Sequence, residues 1–527
     1  MESFAEVSVK TARRSFILCV LIILLSGNFI RATVYYVDSE EGKDTNNGMS
    51  PAEAWASLKK VNGTVFQPGD TILFKAGSSY VGQLEAKGSG SARRPVVIDK
   101  YGAGEKPAIH GQGQKQYTLL FQNVEYWEAR NLEITNRGAE RMPGRRGVSI
   151  VAENFGDCHH ILLDKLEIHH VNGSLVKSEG GGSAIWWKNG GDRVKTRFVG
   201  LVIQNCHLHH CERNGINSGG YTRRDEWHPS VGVVVRNNLL EQIPGDGIVP
   251  IGCEGALIEH NVMRDCPDIL SHREAAAGIW PWSSDNTVIQ YNEVSGHKAK
   301  WDGQGFDSDF NCRGTIIQYN YSHDNYGGFL LICNKGDTFG TPGNIGTKNS
   351  IIRYNVSVND GIRPYPTQRR GWFSPVLHIT GPVQGTKIYN NVIIVPEKEN
   401  GEIDRAIADM DNWGGLWPQD TWFANNVFFV QGRSTFRFRD DQRTVFSHNC
   451  YFGEIEALPD DPAAVFDNPA FINAAACGSG FDLLRSFMIT KKSPLRNSGT
   501  AVGEKGLADL FGNLVPDRRC NIGVHQY

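Results

Sequence analysis

Three aspartates, Asp302, Asp307 and Asp309, fall within eight residues in the stretch DGQGFDSDF. Carboxyl groups this close along a chain suit acid/base catalysis, calcium ligation or a solvated loop. Other ionisable residues flank them: His272, Arg273 and Glu274 upstream, Lys300 just before Asp302, and His323 after Asp309. Which chemistry applies depends on the backbone that carries them.

The chain has 527 residues, 21% of them charged, and a net charge of -3. That balance excludes the broad basic field of a nucleic-acid binder, so nucleic acid is not an expected partner. Its 59 glycines point to many turns and a β-rich chain. Arg13 and Arg14, followed by SFILCVLIILLSG and small residues to Ala32, read as a secretory signal peptide over residues 1–32. The expected location is secreted or periplasmic, with no stable membrane insertion after signal removal. The other ten cysteines are scattered, which suits small buried hydrophobes and leaves disulfides open.

A repeat organises the rest. GVVVRNNLLEQI from Gly232, ALIEHNVMRDC from Ala256, TVIQYNEVSGH from Thr287 and TIIQYNYSHDN from Thr315 share one pattern: short strand, polar residue, Asn, second strand. Similar units place an Asn at 238, 261, 292, 320, 355, 391, 426 and 449. A period of tens of residues with short strands predicts an all-β solenoid, a parallel β-helix whose asparagines stack about 4.8 Å apart as a ladder. Asn320-Tyr321-Ser322 matches the glycosylation triplet, but a ladder Asn is out of reach. Ser50-Pro51-Ala52-Glu53 is a capping box opening AEAWASLKKV, a short helix expected to cover the open N-terminal end. The expected organisation is a cap with first coils over 33–115, coils bearing the site over 116–455, and C-terminal coils and cap over 456–527.

YYVDSEEGKDTNNGMSPAEAWASLKKVN, FQPGDTILFKAG, the Asn-bearing coils and the closing LFGNLVPDRRCNIGVHQY resemble secreted bacterial right-handed parallel β-helix carbohydrate-active enzymes. The resemblance implies a right-handed solenoid and a glycoside hydrolase or polysaccharide lyase. Around Asp302 the chain also resembles polygalacturonases, but the next coil, HDNYGGFLLIC, lacks an adjacent Asp pair.

A second column recurs as SAIWWKN, NGINSGG, DGIVPIG, AGIWPWS, QGFDSDF, GGFLLIC and PVLHITG, in which Ile185, Ile216, Ile248, Ile279, Phe306, Phe329 and Val376 are expected in the core. Alternation then turns Asp307 and Asp309 outward, beside Trp280 and Trp282 and, further back, Trp186 and Lys188. Aromatic faces next to carboxylates suit a sugar polymer in an open groove. The leading expectation is a glycoside hydrolase with Asp307 and Asp309 as the acid/base pair, Asp302 as third carboxylate and Glu274 in reserve. Trp280, Trp282, Trp186, Lys188, Arg273, Lys300, His272 and His323 are the expected substrate contacts. Neither a metal nor a cofactor is required. The alternatives are a lyase, in which the aspartates hold Ca²⁺ while Lys300 or Arg273 abstracts a proton, and a non-catalytic glycan-binding solenoid.

Overall fold

In a computed structural model that describes residues 32–335, 343–395, 397, 404, 406–413, 415–439 and 443–526, each repeat is one coil of a parallel β-helix. Residues 1–31, which hold most of the expected signal peptide, lie outside the described residues. The first face runs from Val34–Val37 through Leu257–Glu259, Val288–Gln290 and Ile316–Gln318 to Val445–Ser447. Its inward positions, Ile258, Ile289, Ile317, Ile352 and Ile388, are completely buried in one continuous core.

The turn out of this face explains the polar-Asn signature. The residue before each ladder Asn is left-handed, with φ between 53° and 58° at Asn237, His260, Tyr291, Tyr319, Tyr354, Asn390, Asn425 and His448. That conformation is costly for Tyr and His. Stacking offsets part of the cost: the rings of Tyr291 and Tyr319 lie 4.9 Å apart. The following Asn turns inward and forms the ladder. Nδ2 donates to the next Oδ1 at 2.9–3.0 Å from Asn238 through Asn261, Asn292, Asn320, Asn355, Asn391 and Asn426 to Asn449. Each Oδ1 also accepts the backbone N–H of the preceding ladder residue, as between Asn320 and Asn355 at 3.0 Å. Asp461 ends the stack by accepting from Asn449 at 2.9 Å. Asn320 is fully buried, so the glycosylation triplet is structural.

The second face follows the Asn turn, as in Glu167–Asn172, His207–Glu212, Glu293–Ser295 and Tyr321–His323. The third contains Arg146–Glu153, Ser183–Gly190, Asn214–Gly219, Gln304–Ser308, Gly328–Cys333, Leu377–Thr380 and Ala406–Asp411, all paired in parallel along the stack or through single bridges.

The N-terminal helix is shorter than its capping-box signature predicts. Ser50 makes no side-chain cap, and Pro51–Glu53 forms one 3-10 turn. The α-helix is Leu58–Asn62, capped by Ser57, whose side chain accepts from the Lys60 N–H. Trp55 is the reason: it enters the core and bridges to Val37, which breaks the helix there. The ten cysteines from Cys158 to Cys520 are unbridged, and all but Cys477 are buried. Among the described residues no helix is long and apolar enough to cross a membrane.

Candidate active site

On the third face Ile185, Ile216, Ile248, Ile279 and Phe306 follow one another along the core, as their spacing predicts. Beyond them the register differs by one residue. Phe306 pairs with Leu330, and Leu330 with Leu377, so Phe329 and Val376 take the corner position that Gly305 occupies one coil earlier. A Cβ at Gly305 would meet Ser322 Oγ at 2.6 Å, so that corner admits a bulky residue only where the coil below makes room. A one-residue shift exchanges faces. The outward column after Asp307 is therefore Leu331, His378 and Asp409, and the column through Asp309 continues to Cys333, Thr380 and Asp411.

Asp302, Asp307 and Asp309 come together, but not on an open surface. Asp307 is only 3% exposed, which corrects the solvent-facing placement; Asp302 and Asp309 are half-buried. Burial pushes the Asp302 carboxyl up to about 6, against the pull of Lys177 and Arg363. Burial likewise holds Asp309 at about 6, although Cys333 Sγ–H at 3.0 Å and the Phe310 N–H at 2.6 Å favour its charged form. Asp307 is raised well above the usual range, first by burial and then by its neighbours Asp309 and Asp302. Three crowded carboxyls cannot all ionise, so the set titrates as a unit.

Cations bound this cluster on one side. Lys177, in the 3-10 turn Lys177–Glu179, sits 4.8 Å over the Trp280 ring and 3.5 Å from Asp246 Oδ2. Its backbone N–H is anchored by Glu274 Oε2 at 2.8 Å, and that same oxygen receives Arg213 Nη2 at 3.2 Å. Arg213 is completely buried and donates to Asp246 at 2.8 Å. Burial alone would raise Asp246; Lys177 and Arg213 hold it below the ordinary carboxylate range.

Asp302 opens into a small cavity whose walls are Trp301, Phe373 and Trp413, with Gln304, Arg363, Arg370 and His378 supplying polar edges. Arg363 Nη2 donates to the Asp302 carbonyl at 2.5 Å and Nη1 to the Phe373 carbonyl at 3.1 Å, fastening the segment after the third face over the site. Arg370 lies 3.9 Å over the Phe373 ring and pairs with Asp411. His378 Nε2 stands 3.4 Å from Asp411 Oδ2 without hydrogen-bond geometry. Arg437 reaches Asp409 at 2.7 Å. His378, Asp409 and Asp411 have the spacing of metal ligands, but both carboxylates are already neutralised by arginines. They fit an ion-pair network better than a cation site. Buried polar atoms without hydrogen-bond partners among the described residues recur here: Gln304 Oε1, Asp307 Oδ1 and Trp282 Nε1. Such atoms need a reason in a folded protein, and a polar ligand is one.

Several expected contacts are placed otherwise. Trp280 is 5% exposed and donates Nε1–H to Asp246 Oδ1 at 3.2 Å, so it is a packed support and not a sugar platform. Trp282 is half-buried one coil before Asp309. Trp186 and Lys188 share the outer face further back, where Arg146 covers Trp186 at 5.0 Å and Lys188 pairs with Glu153 at 3.0 Å. Glu274 anchors Lys177 and Arg213, as above, and does not stand with the aspartates as a reserve catalyst. Lys300 is committed to Asp268 at 3.0 Å and to the Leu270 carbonyl at 3.0 Å. Arg273 and His272 are exposed, the latter edge-on to Tyr365. His323 is buried on the second face between Glu293 and Asp324.

Lys177, Asp246, His378, Arg363, Arg370, Phe373 and Trp413 are site residues that the sequence reading missed. His378 lies in the quoted PVLHITG, and the correct register would have aligned it with Asp307; Asp246 opens DGIVPIG in the same repeat column. The others lie outside any repeat and carry no periodic signal.

Comparison with known proteins fits this architecture. Residues 183–365 match the family described as right handed beta helix region. More particularly, the chain is 30% identical over 460 residues to a lacto-N-biosidase of Bifidobacterium longum subsp. longum, an alignment covering 69% of this chain and 27% of that protein. It is 28% identical over 114 residues to an alpha-1,3-galactosidase A of Akkermansia muciniphila, covering 20% and 19%. The chain thus spans about a quarter or less of the length of these curated relatives. The crystal structure of a GH136 lacto-N-biosidase from Eubacterium ramulus superposes with a TM-score of 0.60 at 25% identity, over 81% of this chain and 68% of that one.

Proposed function

We propose that the protein is a glycoside hydrolase acting on a complex glycan, with Asp302 and Asp309 as its acid/base pair and Asp307 as a buried, protonated carboxyl between them. The observation that carries this reading is the gathering of three carboxyls, two of them half-buried and held near 6, with Asp302 lining an aromatic-walled cavity. A glycosidase needs one carboxyl protonated at working pH while another is ionised. Asp307 is too enclosed to reach a glycosidic oxygen directly, and its charge state acts on Asp309 and Asp302 through space. Trp301, Phe373 and Trp413 offer faces to sugar C–H groups, while Gln304 and His378 offer polar edges to hydroxyls. Similarity to a lacto-N-biosidase supports a lacto-N-bioside as the first substrate to try. The basic N-terminus with its apolar run supports export, and the glycan would then be met outside the cytoplasm.

The test is incubation with aryl lacto-N-biosides, α-1,3-galactosides and a polysaccharide panel, with products examined for new reducing ends and for unsaturated uronates. New reducing ends, insensitive to chelator, are expected. Unsaturated products that require added Ca²⁺ would replace this reading with elimination.

A further inference from the structure

The sequence carries two near-copies of a histidine pair on successive coils, EIHHVN in Glu167–Asn172 and HLHHCE in His207–Glu212. The strands pair in parallel with Glu167 opposite His207 and His169 opposite His209. Alternation puts these four side chains on the outer side of the second face. His170 and His210, both left-handed with φ of 51° and 52°, add a second histidine at each rung. The rings are ordered: His169 and His209 stack at 4.7 Å and 4°, His170 and His210 at 5.3 Å and 2°. None of these residues belongs to the acid cluster on the third face.

We propose that Glu167, His207 and His209 form a transition-metal site of the zinc class, clamping two neighbouring coils on the outer surface of the solenoid. One oxygen or nitrogen from each of the three lies within 4.8 Å of the others, and all three are half-buried. Zinc with N and O ligands at about 2.0–2.2 Å asks for ligand atoms roughly 3.3–3.5 Å apart, a closure that side-chain rotation supplies. The partner atoms already in place sort the nitrogens. Glu241 Oε2 holds His207 Nε2 at 2.7 Å, which leaves Nδ1 to the metal. His210 Nδ1 stands 2.9 Å from His209 Nδ1, and His209 Nε2 lies 3.7 Å from Glu167 Oε1. Lys106 binds the other oxygen, Oε2, at 3.3 Å, leaving Oε1 for coordination. A carboxylate orienting a ligating histidine through its second nitrogen is the usual arrangement around a bound zinc ion. A single carboxylate among imidazoles selects zinc, nickel or copper over calcium. In contrast to the Asp409 and Asp411 cluster, no arginine among the described residues pairs with these ligands.

Zinc chloride titrated into tag-free, chelator-treated full chain should show one site per chain in the micromolar range or tighter, and calcium chloride none. Cobalt(II) in its place should give visible absorption bands of a nitrogen-ligated, low-coordinate ion. The double variant His207→Ala, His209→Ala should lose at least about a hundredfold in zinc affinity, together with the zinc-induced rise in Tm. Turnover by the acid cluster should be unchanged in that variant, which separates this site from the proposed hydrolase. If the double variant fails to fold, His209→Gln must still weaken zinc binding at least about tenfold. Millimolar affinity in the unmodified chain, or undiminished binding in these variants, would overturn the proposal.

Discussion

At the scale of single residues, the three aspartates differ in enclosure and charge, and their substitutions should differ accordingly. In the proposed hydrolysis Asp302→Asn and Asp309→Asn each remove a group that exchanges a proton, and should lower kcat/KM by about 10²–10⁴. Asp307→Asn replaces the carboxyl whose protonated form is favoured by burial and by its neighbours Asp309 and Asp302. Its loss should be smaller, within about tenfold, and steady-state kinetics on one aryl glycoside would rank the three. If Asp307→Asn alone were inactive, the acid/base pair would have to be reassigned to Asp307 and Asp309. The pH dependence follows from the same burial. With Asp302 and Asp309 at about 6 in the fold and near 3.8 when unfolded, the folded state binds protons the more tightly. Their ionisation therefore costs no stability below about pH 4, an increasing amount between 4 and 6, and the full amount above 6. Asp309→Asn should raise Tm by a few °C at pH 7.5 and leave it unchanged at pH 4, as read by calorimetry.

At the scale of elements, the 3-10 turn Lys177–Glu179 and the Asn ladder carry separable functions. Lys177 lowers the carboxyls of Asp302 and Asp309 from across the coil stack. Removing its charge by Lys177→Met should move the alkaline limb of the kcat/KM profile to higher pH, because a protonated acid then persists longer. A profile that stays put, or moves down, would show that the turn only packs. The ladder is structural. Asn320→Ala strips a donor and an acceptor from three coils at once, leaving the Asn292 N–H without its acceptor and the Asn292 amide with only its bonds to the Ile258 and Gln290 carbonyls. A cost of about 2–4 kcal/mol in urea unfolding is expected, with catalytic constants unchanged where the protein remains folded.

At the scale of the whole molecule, each coil is stabilised by its neighbours, so ends and exposed faces decide solubility. The C-terminal segment lies back over the second face. Tyr321 Oη–H donates to the Gly478 carbonyl at 2.7 Å, and the Gly480 N–H reaches Glu293 at 3.0 Å. Beneath it Tyr321, Val356, Val392 and Phe429 form an apolar strip joined by Leu484, Phe487 and Leu495. Truncation after residue 477 should expose that strip and convert a monodisperse species into aggregate, as followed by size-exclusion chromatography.

The repeat alone determined the solenoid and its ladder, because an Asn after a strand at each turn has one way to satisfy its amide, and that way is the same in every coil. The third-face register up to Phe306, which brings Asp307 and Asp309 together, was legible for the same reason: strand alternation is a local rule. Local rules end where the period changes. The corner at Phe329 shifted the register by one, so alternation counted from Val376 does not bring His378 into line with Asp307, and Trp280 was taken for an exposed platform because alternation says which face a residue is on but not what covers it. The cover comes from Lys177, Arg363, Phe373 and Trp413, residues far apart in sequence and outside the repeat. Only the tertiary structure brings them over the carboxyls, and their enclosure is what lifts those carboxyls towards the pH at which one can give a proton and another take it.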